Sequence, residues 1–191
     1  MRLLLVAMIA VLLQGCGTVH NTIRDGDDDR LMLRGNDPVS YFTAGTPQKG
    51  DAALKASYDG DVYRFVNAEN KRLFEQDPKK YAPAFAGFCA SGTHYALKGA
   101  IGAETYAIYA GRLYLFGGPR SRANWMMDAD ANIRLGEEYW EKETKDVPYR
   151  VQNFKRYLFK VAHYKTDPQL DAEHLRRFGK LPPGAPAPKA E

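Results

Sequence analysis

The sequence predicts an α+β fold: small antiparallel hairpins packed with short helices, followed by a C-terminal amphipathic helix. Three observations carry this. Asp59-Gly60 and Ala110-Gly111 each lie between alternating apolar runs, and such dipeptides supply the positive φ angles of a tight hairpin turn. Helix signals follow both hairpins: Asn67 ahead of Ala68–Gln76, and Ser121 ahead of Trp125. Finally, Val151, Phe154, Leu158 and Val161 recur at helical spacing with basic residues between them.

The chain opens with Met1-Arg2, an apolar run from Leu3 to Leu13, and Gln14-Gly15-Cys16. A positive start and a short apolar core read as a secretory signal. The run is too short to be a permanent membrane span. Leu13-Gln14-Gly15-Cys16 resembles a bacterial lipobox. That resemblance implies a lipoprotein whose signal peptide, residues 1–15, is removed. Cys16 would then be lipidated, with palmitate among the acyl chains, and become the mature N-terminus. Several acyl chains give a stable membrane anchor. The competing reading is an ordinary cleaved signal with an incidental cysteine. Gly17, rather than Asp, follows Cys16. This resembles the outer-membrane sorting pattern and implies a bacterial cell-envelope protein on the outer membrane, facing the periplasm.

Residues 16–30 read as a tether, because Asn21, Gly26 and the run Asp25, Asp27, Asp28, Asp29 offer nothing to a core. The folded domain is expected over 31–145. Asn36 or Asp37 caps a short helix with Pro38 at its first position. A polar loop from Gly45 to Gly50 leads into the first hairpin, where Tyr63 and Phe65 alternate on the second strand. Asp77-Pro78 ends helix 68–76 and caps a turn, Pro78–Tyr81. The second hairpin pairs Thr105–Tyr109 with Arg112–Phe116, and Gly117-Gly118-Pro119 breaks it. Ser121 caps a helix whose Trp125 and Met126 line the core. Asp128-Ala129-Asp130-Ala131-Asn132 imitates a calcium loop, but its sixth position is Ile133 and its twelfth Tyr139, so the glycine and bidentate glutamate are missing. Asp130 reads instead as the cap of a helix Ile133–Lys142, with Trp140 inward. A helical extension occupies 146–180: an amphipathic helix at about 149–164, expected to pack on the domain, and a short one over Asp171–Phe178. Residues 181–191, with Pro182, Pro183, Pro186 and Pro188, read as a disordered tail. No internal repeat is evident.

The whole chain has 27 basic and 23 acidic residues and is 45% hydrophobic, enough for one domain with an appendage. The basic surplus collects in residues 149–180. It suits an acidic surface such as phospholipid head groups, or is simply a solvated face. No aromatic-interleaved basic patch or finger motif argues for nucleic acid. No phosphate loop, dinucleotide fingerprint, metalloprotease helix or nucleophile elbow is present. Enzyme status therefore stays open, with a binding protein the favoured class.

Cys89 is the most informative chemical feature. With Cys16 lipidated it has no partner for a disulfide, in an oxidising compartment. It sits in Phe85-Ala86-Gly87-Phe88-Cys89-Ala90-Ser91-Gly92, between glycines and among aromatics. An unpaired cysteine is either buried filler or a functional thiol. His94 lies five positions on. Cys89 and His94 are candidate ligands of Zn²⁺ or Cu⁺, or a thiolate–imidazolium pair. A closed zinc site wants four ligands. Met126, Met127, His163 or a carboxylate are the available extra donors, but no spacing nominates them. The competing reading of His94 is a surface-loop histidine.

Several motifs in order carry a family resemblance. They are Asn36-Asp37-Pro38-Val39-Ser40-Tyr41-Phe42; Tyr58, Gly60, Tyr63 and Phe65; Asn70, Arg72, Phe74, Asp77-Pro78, Tyr81 and Pro83; and Gly87-Phe88-Cys89-Ala90. Together they resemble the YHS-domain family, above all its secreted bacterial branch of YHS domain (seleno)proteins. The likeness covers 31–92 and continues more loosely to Trp140. It implies a YHS-like fold for residues 31–145. Shorter YHS domains are linked to heavy metals through cysteines, but here those positions read Ser40 and Val66-Asn67. In the secreted branch the position of Cys89 resembles a site that can carry selenocysteine, which implies a redox or soft-metal role. Ala86 replaces the family's usual first glycine there.

Three functions follow as expectations. The first is an anchored envelope lipoprotein that binds a soft metal or thiol-reactive ligand through Cys89, with Cu or Zn as the cofactor. The second is a thiol redox enzyme or sensor using Cys89, which would form a sulfenic acid or mixed disulfide, since the chain has no resolving cysteine. The third is a non-catalytic scaffold working through its basic C-terminal helix. The partners expected are the membrane, through Cys16, and an envelope protein.

Overall fold

The computed structural model describes residues 17–187. The expected signal peptide, Cys16 and residues 188–191 of the tail lie outside the described residues. The fold is mixed α+β. A four-stranded sheet contains β1 (Ile23–Asp25), β2 (Asp28–Leu31), β3 (Asp51–Tyr58) and β4 (Asp61–Phe65) in the order β1-β2-β4-β3. A separate two-stranded sheet holds β5 (Gly102–Tyr109) and β6 (Arg112–Phe116). The helices are α1 (Ser40–Thr43), α2 (Ala68–Gln76), α3 (Pro78–Tyr81), α4 (Ala90–Thr93), α5 (Pro119–Met126), α6 (Ala129–Tyr139), α7 (Tyr149–Leu158) and α8 (Asp167–Phe178). Short 3₁₀ turns occupy Met32–Gly35 and Ala84–Gly87, and a π turn occupies Trp140–Thr144.

Both hairpins form as their turns dictate. Asp59 and Gly60 have φ of 52° and 73°, and Ala110 and Gly111 have 47° and 75°, the double left-handed geometry of a type I′ turn. Asn67 accepts the Asn70 N–H at 2.8 Å, and Asp77 accepts the Lys80 N–H at 3.2 Å, so both expected caps are made.

The molecule contains an internal repeat, which the sequence pattern alone did not reveal. Strands β3 and β4 recur as β5 and β6, each 51 positions later. Even the irregularity recurs: the pairs Asp51↔Phe65 and Lys55↔Arg64 match Gly102↔Phe116 and Tyr106↔Leu115. Tyr58, Gly60, Tyr63, Phe65 and Asp77 reappear as Tyr109, Gly111, Tyr114, Phe116 and Asp128. The packing repeats too. Tyr63 and Phe65 lie 4.7 and 5.2 Å from Phe74, and Tyr58 meets that ring edge-on at 6.3 Å. Trp125 takes the place of Phe74, with Tyr114, Phe116 and Tyr109 at 5.1, 5.3 and 6.2 Å. The turn ahead of each hairpin repeats as well. Leu33 and Arg34 have φ of 54° and 53°, and Phe85 and Ala86 have 55° and 47°. Two successive left-handed non-glycine residues are costly. Their recurrence makes them part of the framework of both halves.

Several expectations need correction. Residues 23–30, expected to end the tether, are folded. Asp28 is buried, accepting from Lys55 at 2.7 Å and from Arg64 Nε at 2.9 Å, and Asp25 accepts from Arg64 Nη1 at 2.6 Å. Ser121 sits inside the first turn of α5, where its Oγ donates to the Gly118 carbonyl at 2.8 Å. Asp130 also lies inside its helix, which starts at Ala129 rather than Ile133. Helix α7 stops at Leu158, so Val161 lies beyond it and is buried separately. The helix does meet the domain, but through Gln152 and Asn153. Gln152 donates to the Ala96 carbonyl at 2.8 Å, and Asn153 both accepts from and donates to the Lys98 backbone at 2.8 and 2.9 Å. The first part of the tail is packed: Pro182 is buried, and its carbonyl accepts the Ala185 N–H at 3.1 Å.

Candidate thiol site

The repeat explains the surroundings of Cys89. In the first half, the chain leaves the left-handed turn at Asn36 and enters α1 through Asp37. The Asp37 N–H donates to the Gln48 carbonyl at 2.8 Å. Its carboxylate is fully buried. Oδ1 accepts the Val39 N–H at 2.8 Å and the Ser40 N–H at 3.4 Å. Oδ2 accepts the Val66 N–H at 2.9 Å and the Asn70 side-chain amide at 2.7 Å. An acidic side chain is thus tied to the end of the hairpin and to the helix after it.

Cys89 occupies the matching position in the second half. Its N–H donates to the Gly99 carbonyl at 3.0 Å, as Asp37 donates to Gln48. The Gly117 N–H, counterpart of Val66, points at Sγ from 3.3 Å. Ser91 Oγ lies 3.1 Å from Sγ. A sulfur therefore stands where the other half keeps a buried carboxylate, and it meets one of the same backbone donors. Donors of this kind favour an anionic acceptor. Gly99 allows the approach: a Cβ there would sit 3.0 Å from the Cys89 Cβ.

One member of the knot is missing. Ser121 stands in place of Asn70, and its hydroxyl serves Gly118 instead. Cys89 and Ser121 both line a cavity of about 430 Å³, together with Ser91, Gly117 and Arg120. Cys89 is 6% exposed, so the thiol is nearly covered yet borders open space. The nearby cations are engaged elsewhere. Lys98 Nζ donates to the carbonyls of Val19, Lys145 and Val147 at 2.8, 3.1 and 2.7 Å, and lies 5.0 Å from the Phe88 and Trp140 rings. Arg120 is clamped to Asp171.

No protein-family model, curated protein or solved structure matches this chain. The site therefore stands on its own geometry.

No hydrogen bond joins His94 to the thiol. His94 lines a second cavity of about 280 Å³ with Tyr95, Asn124, Trp125 and His163. Its ring faces Tyr95 at 3.9 Å and His163 at 6.5 Å, and the His163 ring nitrogen Nε2 is 2.8 Å from the His94 carbonyl. Burial pushes the imidazole down to about 4, with the Ala90 backbone opposing and His163 adding to the effect. A neutral ring is no partner for a thiolate–imidazolium pair at ordinary pH, and none of the contacts of His94 reaches Cys89. Of the extra donors weighed from sequence, Met127 and His163 line the His94 cavity, and Met126, 41% exposed, does not line the core as expected. Among the described residues, no group of three or more His, Cys, Asp or Glu side chains is placed to hold a metal ion. Sequence reasoning found Cys89 but missed Asp37, Gly117 and Ser121. The equal spacing of the Tyr-x-Gly-x-x-Tyr-x-Phe pattern was the signal that would have aligned them.

Proposed function

We propose that this chain is a lipid-anchored envelope protein with a YHS-like domain that binds a soft, thiophilic ligand through Cys89. The observation that carries the reading is the exchange of carboxylate for sulfur at one position of a duplicated knot. A residue that only filled space would need neither the Gly117 N–H nor the Ser91 hydroxyl at its tip. A thiolate is the form that binds soft cations and attacks electrophiles, and the Gly117 N–H points at Sγ, where such a ligand would attach. The cavity beside Ser121 gives such a ligand room. The reading favours binding over redox catalysis, because Cys89 is the free cysteine of the described chain and has no resolving thiol. Anchoring rests on the Leu13-Gln14-Gly15-Cys16 sequence. No helix among the described residues is long and apolar enough to cross a membrane.

The test uses the intact chain and its Cys89→Ala variant. Equilibrium dialysis against Cu⁺ and Zn²⁺, and mass spectrometry after treatment with iodoacetamide, both report on the thiol. The reading expects one bound metal ion or one adduct per folded chain, lost in the variant. A thiol that retains no metal and reacts only after unfolding would overturn it and leave Cys89 as core.

A further inference from the structure

Helix α7 presents an unusual surface. Phe154, Tyr157 and Leu158 are three and four positions apart and share one face, and Phe159 follows at the helix end. Their exposures are 64%, 77%, 54% and 68%. The helix meets the domain through amides and turns its large apolar side chains outward, the reverse of ordinary core packing. Residues 149–165 hold Arg150, Lys155, Arg156, Lys160 and Lys165 and no acidic residue. Glu143 offsets part of that charge by pairing with Lys155 and Arg156, and Glu173 offsets more by pairing with Lys165.

The position of this face decides its partner. Gly17, the residue bonded to Cys16, lies against the Tyr149 ring, since a Cβ on it would be 3.0 Å from that ring. The Tyr149 N–H donates to the Thr18 carbonyl at 3.1 Å. Residue 16 is therefore attached at the N-terminal end of α7. From Tyr149 to Phe159 the helix runs about 15 Å, so the exposed apolar side chains lie within that reach of the site where Gly17 packs.

We propose that the Phe154–Phe159 face of α7 docks on an anionic phospholipid bilayer beside the anchor. An aromatic face bordered by lysine and arginine is the composition of an interfacial helix: rings enter the head-group boundary while the long basic stems keep their charges among the phosphates. The inference uses the anchoring reading for orientation. The mature domain would then lie on the membrane with a fixed face, not swing on a tether.

A Phe159→Trp reporter in the full chain tests this, reconstituted in phosphatidylglycerol–phosphatidylethanolamine vesicles with and without bromine on the acyl chains. The unsubstituted chain gives the background of Trp125 and Trp140. The expected result is a fall of about twofold, in the brominated vesicles, of the emission that the Phe159→Trp substitution adds, as for a ring at the head-group boundary. The fall should shrink when phosphatidylcholine replaces phosphatidylglycerol. Emission equal in both vesicles overturns the proposal, and a dimer cross-linked through this face under those conditions would name a second copy as the occupant instead. The intact mass reports separately on Cys16. An unacylated chain sinks the anchor, while quenching that persists on that chain still supports the helix.

Discussion

Asp37 and Cys89 hold one backbone position twice over, and their surroundings predict different costs of replacement. Asp37→Ala leaves the Val66 N–H and the Asn70 amide buried without an acceptor, a loss of about 3 kcal/mol. Urea denaturation should show it as a lowered midpoint. Cys89→Asp supplies a carboxylate that meets the Gly117 N–H but no counterpart of the Asn70 amide, so it should cost about 1–3 kcal/mol, while abolishing alkylation. If Cys89→Asp unfolds the protein, the two positions are not equivalent. His94 gives a pH signature. The unfolded ring takes a proton near its ordinary 6.5, whereas the folded ring does so only near 4. Acid therefore favours the unfolded chain across that window. Stability is whole above pH 6.5 and falls by up to about 3 kcal/mol toward pH 4. Denaturation curves of His94→Phe should lose that part of the slope. An equal slope in the variant would place the titration on another group.

At the scale of elements, what was legible in the sequence was what nearest neighbours decide. Both hairpins and helix 68–76 were readable because Asp59-Gly60, Ala110-Gly111 and Asn67 act on residues within three positions of themselves. The acidic strands were not readable. Asp25 and Asp28 look like solvated charges until Arg64 and Lys55 arrive from far along the chain. The caps at Ser121 and Asp130 failed by three and two residues for a similar reason: the helices start at Pro119 and Ala129, after Gly118 and Asp128, earlier than the side-chain pattern suggests. Helix α7 was visible in its period but not in its orientation. Periodicity finds an apolar face; it does not tell whether protein or lipid covers it. The candidate site was half legible, since a lone cysteine is plain in any sequence but a backbone N–H from Gly117 is not.

Across the whole molecule, Lys98 ties segments that would otherwise be separate. Its ammonium gathers carbonyls from Val19 at the start of the described chain and from Lys145 and Val147 ahead of α7. Lys98→Met keeps the stem over Phe88 and Trp140 but leaves three carbonyls without a donor, a cost of about 2–3 kcal/mol. Hydrogen exchange should quicken in residues 17–22 and 145–153 and stay unchanged in the β3–β4 hairpin. Uniform quickening would mean that the lysine supports the core rather than the junction. The duplicated hairpin–helix unit has a consequence for measurement. Asp37 and Cys89 share solvent, temperature and chain, and differ in the atom at the centre of the knot, in the Asn70 amide that Ser121 does not replace and in the cavity beside it. The first half is thus a built-in blank for the second. Any shift in the Gly117 amide on adding a metal or an electrophile can be read against the silent amide of Val66, within a single spectrum.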